Sequence, residues 1–182
     1  GLCATPGDLV KWTHALHTGK VLAPATYTAM TTPRGAAAAE NYGFGLYVRP
    51  TPWGGTAITH GGVTTTGHVS ELQWFPKEAV AYSLLYNSAP RLPGVSDLIP
   101  RLVLDVPGPM EERVGAIVTG QILSQGVPSA SVAVLRDGKM VLEQAWGLAD
   151  VDRKVSASPA TTYAVGSVTK QFTAVLLLKQ IE

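Results

Sequence analysis

The residues best suited to chemistry are a serine and a lysine three positions apart, in Gly166-Ser167-Val168-Thr169-Lys170. On a helix this spacing places both side chains on one face, one turn apart. A serine hydroxyl is a weak nucleophile until a base takes its proton, and a nearby lysine amine can act as that base. The start of a helix also offers backbone N–H groups to a developing oxyanion. The pattern predicts a nucleophile, Ser167, with Lys170 as its proton partner; the alternative is a serine N-cap followed by a solvated lysine.

A second candidate site follows a predicted strand, where a histidine precedes two glycines in Thr59-His60-Gly61-Gly62-Val63. Because glycine has no Cβ, two glycines allow a backbone to come close to a bound ligand, and His60 would point into the same cleft. The residues therefore predict a substrate-binding segment at Gly61 and Gly62 beside a functional histidine. The alternative is a structural histidine next to a glycine-rich turn.

The apolar periodicity predicts the elements that position these residues. Helices are expected over residues 7–18, 24–30, 96–104, 111–125 and 167–182. Strands are expected within 42–48, 56–60, 68–75, 80–87, 130–136 and 139–146. Asp137-Gly138 is a strong hairpin signal, and Trp74 to Ala79 indicates a second hairpin turn. These elements predict a chain of mixed α/β (α+β) class whose strands form an antiparallel meander.

Composition limits the classes of function. The 182 residues, 46% hydrophobic and 15% charged, fit one globular domain. The chain carries 14 basic and 13 acidic residues, without the basic stripe of a nucleic-acid binder. No apolar run approaches the roughly 18 to 20 residues that span a bilayer. Cys3 is the single cysteine and no cysteine–histidine cluster occurs, so we expect no metal and no cofactor. From the charge balance and the short apolar runs we expect no nucleic-acid partner and no membrane segment.

Four segments resemble the serine β-lactamase and penicillin-binding-protein superfamily, in particular its class C-like branch of D-alanyl-D-alanine peptidases, β-lactamases and esterases. TTYAVGSVTKQFTAVLLLKQ resembles the family's nucleophile helix, and ITHGGVTTTGHVSELQWFP its third-motif strand. GLCATPGDLVKWTHAL is similar to a helix that follows the active-site lid region, and SASVAVLRDGKMVLEQAWGLADVDRKVSASPATTYAVGS to the opening hairpin. The resemblance covers nearly the whole chain.

The resemblance implies roles for individual residues. Ser167 would accept the acyl group and Lys170 would handle its proton, as in other S-x-x-K enzymes. His60 would stand in the third motif, and Gly61 and Gly62 would keep that strand open to substrate. The backbone N–H groups of Ser167 and Val63 would form the oxyanion hole. The implied partner is a small acyl substrate, namely a β-lactam, a peptidyl-D-alanine or an ester, and the third-motif histidine favours a peptidase or an esterase.

The resemblance also implies a single antiparallel sheet of about five strands with helices on both faces. It predicts a strand order and a helix placement that an unrelated α+β domain would not share. The hairpin at 132–136 and 140–146 should lie beside the strand at 80–87. The helices at 7–18 and 167–182 should cover the face of the sheet opposite to those at 96–104 and 111–125. Family members are commonly exported, but the sequence contains no targeting segment from which to predict a compartment.

The motifs occur in the reverse of the family's order, because the histidine motif at 60 precedes the serine motif at 167. We therefore expect a circular permutation of a single domain: 1–104 is the family's C-terminal part, 105–110 a fusion linker and 111–182 its N-terminal part. The proline- and glycine-rich composition of 105–110 is typical of a linker.

The helical lid domain and its Y-x-N motif are not found between the two parts, and neither Tyr86-Asn87 nor Tyr163 fits that motif. The expected function is therefore a serine acyl-hydrolase domain with weak or no activity. The alternative is a non-catalytic, engineered minimal scaffold of the same fold. Apolar residues surround the helix at 167–182, so an uncovered face is expected to make the chain a homo-oligomer.

Overall fold

The computed structural model describes residues 2–51, 55–87, 99–100, 103–104 and 110–182. The helices are α1 (Pro6–His17), α2 (Pro24–Thr31), α3 (Met110–Ile117) and α4 (Thr169–Lys179). The strands are β1 (Cys3–Ala4), β2 (Tyr47–Thr51), β3 (Gly55–Val63), β4 (Val69–Phe75), β5 (Val80–Tyr86), β6 (Ser129–Arg136), β7 (Lys139–Asp150), β8 (Val155–Ser156) and β9 (Tyr163–Ala164). The described elements are thus a mixture of helices and strands, as predicted.

Seven strands form one antiparallel sheet in the order β2-β3-β4-β5-β6-β7-β8, and β1 pairs with β9 in a separate two-stranded sheet. The α/β class and the antiparallel pairing are confirmed, but the sheet is wider than the five strands predicted. Both strands at the sheet's edges have weak sequence patterns: β2 contains Pro50, which edge strands tolerate, and β8 has only two residues.

The Asp137-Gly138 turn was correctly predicted. Both residues have positive φ, 49° and 74°, which is the backbone of a two-residue type I′ turn and explains why the pair is favoured there. The turn sets Arg136 opposite Lys139, so β6 and β7 run back along each other. β5 pairs with β6, which places this hairpin beside the 80–86 strand as expected.

Helices cover both faces of the sheet in the arrangement predicted. Alternate residues of β5 point to opposite sides: Tyr82 and Leu84 join the core that contains Val114 and Ile117 of α3. Ala81, the residue before Tyr82, joins a second core with residues of α1 and α4, namely Val10, Leu16, Val175 and Leu178. Most of the predicted helix at 96–104 lies outside the described residues, but Ile99 and Val103 belong to the α3 side.

Two predicted helices differ in detail from the expectation. The segment at 111–125 begins as α3, continues as a π-helical turn over Val118–Ile122, and ends in a 3₁₀ turn at Gly126, whose φ is +80°. The segment at 167–182 begins with a 3₁₀ turn, Gly166–Val168, before α4. α4 is buried at Val175 and Leu178, whereas Leu176 and Leu177 are 66% and 65% exposed.

Candidate active site

The predicted serine and lysine meet at the start of α4. Ser167 lies in the 3₁₀ turn that precedes the helix, and Lys170 lies in the helix's first turn. The Lys170 Nζ donates a hydrogen bond to the Ser167 Oγ over 2.7 Å. Ser167 is half-buried and Lys170 is exposed to solvent. The pair therefore has the contact that proton transfer between nucleophile and base requires.

Close packing of two backbones places Ser167 against β3. A Cβ added to Gly62 would lie 2.3 Å from the Val165 carbonyl oxygen and 2.6 Å from the Ser167 nitrogen. A Cβ added to Gly166 would lie 2.9 Å from the Val63 nitrogen, and Gly166 also has a φ of +52°, which favours glycine. Both positions need glycine because the segment 165–167 lies directly on the strand; we call it the nucleophile loop after the role predicted for Ser167.

The predicted oxyanion donors, the backbone nitrogens of Ser167 and Val63, belong to these two touching segments. Each nitrogen lies next to a glycine of the opposite segment, Ser167 next to Gly62 and Val63 next to Gly166. The start of α4 adds the positive end of a helix dipole at the serine. The arrangement brings positive partial charge to the place where an oxyanion would form.

A buried hydrogen bond that the sequence analysis did not predict holds the nucleophile loop. The Ser70 hydroxyl of β4 donates to the Val165 carbonyl oxygen over 2.6 Å, and Ser70 is fully buried. On the other side of the residue, the Val165 N–H donates to the Leu2 carbonyl oxygen over 3.0 Å. The only signal for Ser70 in the sequence is a small polar residue inside an apolar strand, which by itself does not indicate a role.

Ser167 and Lys170 open into a cleft of about 1030 Å³. Its other lining residues include Val63, Tyr42, Phe44 and Leu177. Three of the predicted site residues, Ser167, Lys170 and Val63, thus share the cleft, but His60, Gly61 and Gly62 do not line it. Among the described residues that line the cleft, Lys170 is the only charged side chain.

His60 is buried behind the cleft, only 5% exposed. Its Nδ1 lies 2.7 Å from the Gly61 carbonyl oxygen, and its Nε2 lies 3.1 Å from the Tyr42 hydroxyl. Tyr42 is half-buried and, unlike His60, lines the cleft. Burial raises the pKa of Tyr42, and the neighbouring Tyr47 raises it further, so the phenol keeps its proton at neutral pH. The sequence analysis did not identify Tyr42.

The described residues contain no group of three or more His, Cys, Asp or Glu side chains that could hold a metal ion. Within the same residues, no helix is both long and apolar enough to cross a membrane.

The sequence was compared with known proteins. A profile of the beta-lactamase family matches residues 1–105 and 110–182. The chain is 36% identical over 69 residues to Protein flp of Staphylococcus aureus, which covers 38% of this chain and 14% of that protein. It is 46% identical over 54 residues to D-aminopeptidase of Brucella anthropi, which covers 30% of this chain and 10% of that protein. No solved structure matches at a significant level.

The aligned segments span only 14% of the length of Protein flp and 10% of the length of the D-aminopeptidase. The family profile, in contrast, accounts for all but residues 106–109. It covers the nucleophile loop, both strands that pack against it, and the whole described lining of the cleft. The chain belongs to the beta-lactamase family.

Proposed function

We propose that the chain is a serine acyl-transfer domain in which Ser167 is the nucleophile and Lys170 its proton partner. The observation that carries the proposal is the 2.7 Å contact between Lys170 Nζ and Ser167 Oγ at the start of a helix and inside a cleft. The Lys170 amine takes the proton of the serine as Oγ attacks the substrate's carbonyl carbon. The backbone N–H groups of Ser167 and Val63 face the oxyanion.

The tetrahedral intermediate then collapses and expels the leaving group, which receives the proton from Lys170. Water attacks the acyl-serine and releases the acid, so that Ser167 regains its hydrogen. We expect turnover to be slow because Lys170 is exposed. Where water has access to the site, the backbone N–H groups stabilise the negative charge of the oxyanion less strongly. In this proposal His60, Gly61 and Gly62 support the site from β3.

The substrate class is a small acyl compound: a β-lactam, a peptidyl-D-alanine or an ester. The matching relative from Brucella anthropi is a D-aminopeptidase, which supports an amide or peptide among these. The apolar part of the cleft, with Phe44 and Leu177, suits an uncharged acyl group.

The direct test is the formation of an acyl-serine. The protein is incubated with a fluorescent penicillin and, separately, with 4-nitrophenyl acetate, and intact mass is recorded over time. We expect a mass increase of one acyl group in the wild type and none in Ser167→Ala. Ser156→Ala is the matched control, since Ser156 is exposed on β8, at the opposite edge of the sheet from β2.

The same experiment separates the enzyme from a non-catalytic scaffold. A scaffold would give no adduct with either reagent, or an adduct that Ser167→Ala retains. An adduct that depends on Ser167 but decays slowly would support a site with the nucleophile intact and deacylation impaired.

We also propose that the domain is circularly permuted, with residues 105–110 joining the family's C-terminal and N-terminal parts. The order of the two motifs supports this, as does the family match, which falls in two segments on either side of 106–109. A reordered chain, in which residues 111–182 come first and a flexible linker joins them to residues 1–104, should fold. Its Ser167 should be acylated by the same reagents. An insoluble or unreactive reordered chain would count against the permutation.

A further inference from the structure

The third-motif histidine reaches the cleft through a second residue. His60 is buried, but its Nε2 lies 3.1 Å from the hydroxyl of Tyr42, which lines the same cleft as Ser167. The two rings pack edge to face with their centres 5.8 Å apart. The polar side chain that links His60 to the cleft is therefore Tyr42, which belongs to another segment.

The carbonyl partner of Nδ1 fixes one donor of this pair. The Gly61 carbonyl oxygen can only accept, so the His60 Nδ1, 2.7 Å away, carries the hydrogen. In a neutral imidazole the other nitrogen, Nε2, is then an acceptor. With this neutral ring, the Tyr42 hydroxyl donates its single hydrogen to Nε2, and its oxygen keeps only lone pairs for any other partner.

Tyr42 is held in place relative to the nucleophile. Its ring packs against Tyr47 with ring centres 4.5 Å apart, and its backbone N–H donates to the Ala37 carbonyl oxygen over 3.1 Å. Three residues further along, Gly45 has a φ of +78°, and a Cβ there would lie 2.6 Å from the Lys170 carbonyl oxygen. The segment that carries Tyr42 is thus packed on the first turn of α4.

We propose that Tyr42, oriented by His60, is a substrate-contacting hydrogen-bond acceptor that selects acyl groups with an N–H donor close to the scissile carbonyl. This inference rests on the proposed function, since it needs an acyl substrate at Ser167. His60 acts through Tyr42 and is a positioning residue. A substrate whose nitrogen is methylated has no hydrogen to offer the Tyr42 oxygen and loses this contact.

The test compares two esters that differ only in that hydrogen. The 4-nitrophenyl esters of N-benzyloxycarbonyl-glycine and N-benzyloxycarbonyl-sarcosine carry an N–H and an N-methyl group with the same leaving group. The rate of Ser167 acylation by each ester is measured by intact mass for the wild type and for Tyr42→Phe. The ratio of the two rates within one protein does not depend on the fraction that is folded.

We expect the glycine-to-sarcosine ratio to be about 3- to 10-fold higher in the wild type than in Tyr42→Phe, the range for one neutral hydrogen bond. His60→Phe should lower the ratio as well, because Tyr42 then has no acceptor to take its hydrogen. Equal ratios in wild type and Tyr42→Phe, with Ser167 still acylated, would overturn the inference alone. No adduct at Ser167 with either ester would overturn the proposed function, and this inference with it.

Discussion

Gly62→Ala is the sharpest single test of how the site is built, because one methyl group would fall between two backbones. The new Cβ would lie 2.3 Å from the Val165 carbonyl oxygen, 2.6 Å from the Ser167 nitrogen and 2.7 Å from the Ser70 hydroxyl oxygen. Ordinary contacts of a Cβ begin near 3.4 Å. The nucleophile loop must therefore move away from β3 by about 1 Å.

Two consequences follow from a displacement of this size. Overpacking of a buried contact costs about 1 to 3 kcal/mol, which for a domain of this length lowers the melting temperature by about 2 to 12 °C. A misplacement of about 1 Å in a catalytic group reduces the rate of its reaction by about 100-fold. We therefore expect the Gly62→Ala variant to be folded but less stable, and its Ser167 to be acylated very slowly by an added acyl donor.

Gly55→Ala is the matched control, because Gly55 lies in the same strand. Its added Cβ would approach only the Thr51 hydroxyl oxygen, at 3.3 Å, which belongs to a side chain that can turn away. Thermal unfolding and the intact-mass acylation assay are run on both variants. If Gly62→Ala matches Gly55→Ala in melting temperature and in acylation rate, the nucleophile loop does not depend on this close contact and the reasoning is wrong.

Three further outcomes are expected. Lys170→Ala should slow Ser167 acylation by about 10² to 10⁴, whereas Lys179→Ala, at the exposed end of the same helix, should not. Burial lowers the pKa of His17 from 6.5 to about 3, so the folded state binds fewer protons than the unfolded state and stability falls as pH drops below 6.5. Between pH 6.5 and 5 the loss is about 1 to 2 kcal/mol, measured by urea unfolding, and His17→Phe should remove it. Leu176 is 66% exposed and should contribute to self-association of the chain. In sedimentation experiments Leu176→Glu should abolish the oligomer, whereas Val151→Glu, elsewhere on the surface, should leave it intact.

Each of these expectations has a contrary result. Unchanged acylation in Lys170→Ala would remove the lysine from the mechanism. Equal pH dependence of unfolding in wild type and His17→Phe would show that this ring does not cause the acid sensitivity. A wild type that sediments as a monomer at micromolar concentration would contradict the proposed oligomer.

The sequence was most informative where the chemistry is local. Ser167 and Lys170 are three residues apart, so helical geometry alone brings them together and the spacing predicts the contact. The Asp137-Gly138 turn was predictable for the same reason, since two residues determine its backbone. The antiparallel strands followed from the strand patterns and hairpin turns, and the division of the helices between the faces of the sheet followed from the resemblance.

The sequence was least informative where contacts join distant segments. The two glycines after His60 were expected to let the strand approach a ligand, whereas the atoms that come close to Gly62 belong to Val165 and Ser167 of the same chain. The bond between Tyr42 and His60 crosses from a loop to a buried strand residue, and no spacing encodes it. Ser70 is a small polar residue in an apolar strand, and only the folded chain shows that it holds Val165.

The hydrogen bond between Ser70 and Val165 joins residues 95 positions apart, and Cys3 pairs with Ala164 across nearly the whole chain. The β6–β7 hairpin, in contrast, closes over a two-residue turn. Bringing distant segments together costs more chain entropy and is slower than closing a hairpin. During refolding the β-sheet signal should therefore rise before the protein can react with an acyl donor. We therefore expect Ser167, the proposed nucleophile, to reach its position last, so that a nascent or partly folded chain has its hairpins before it can be acylated.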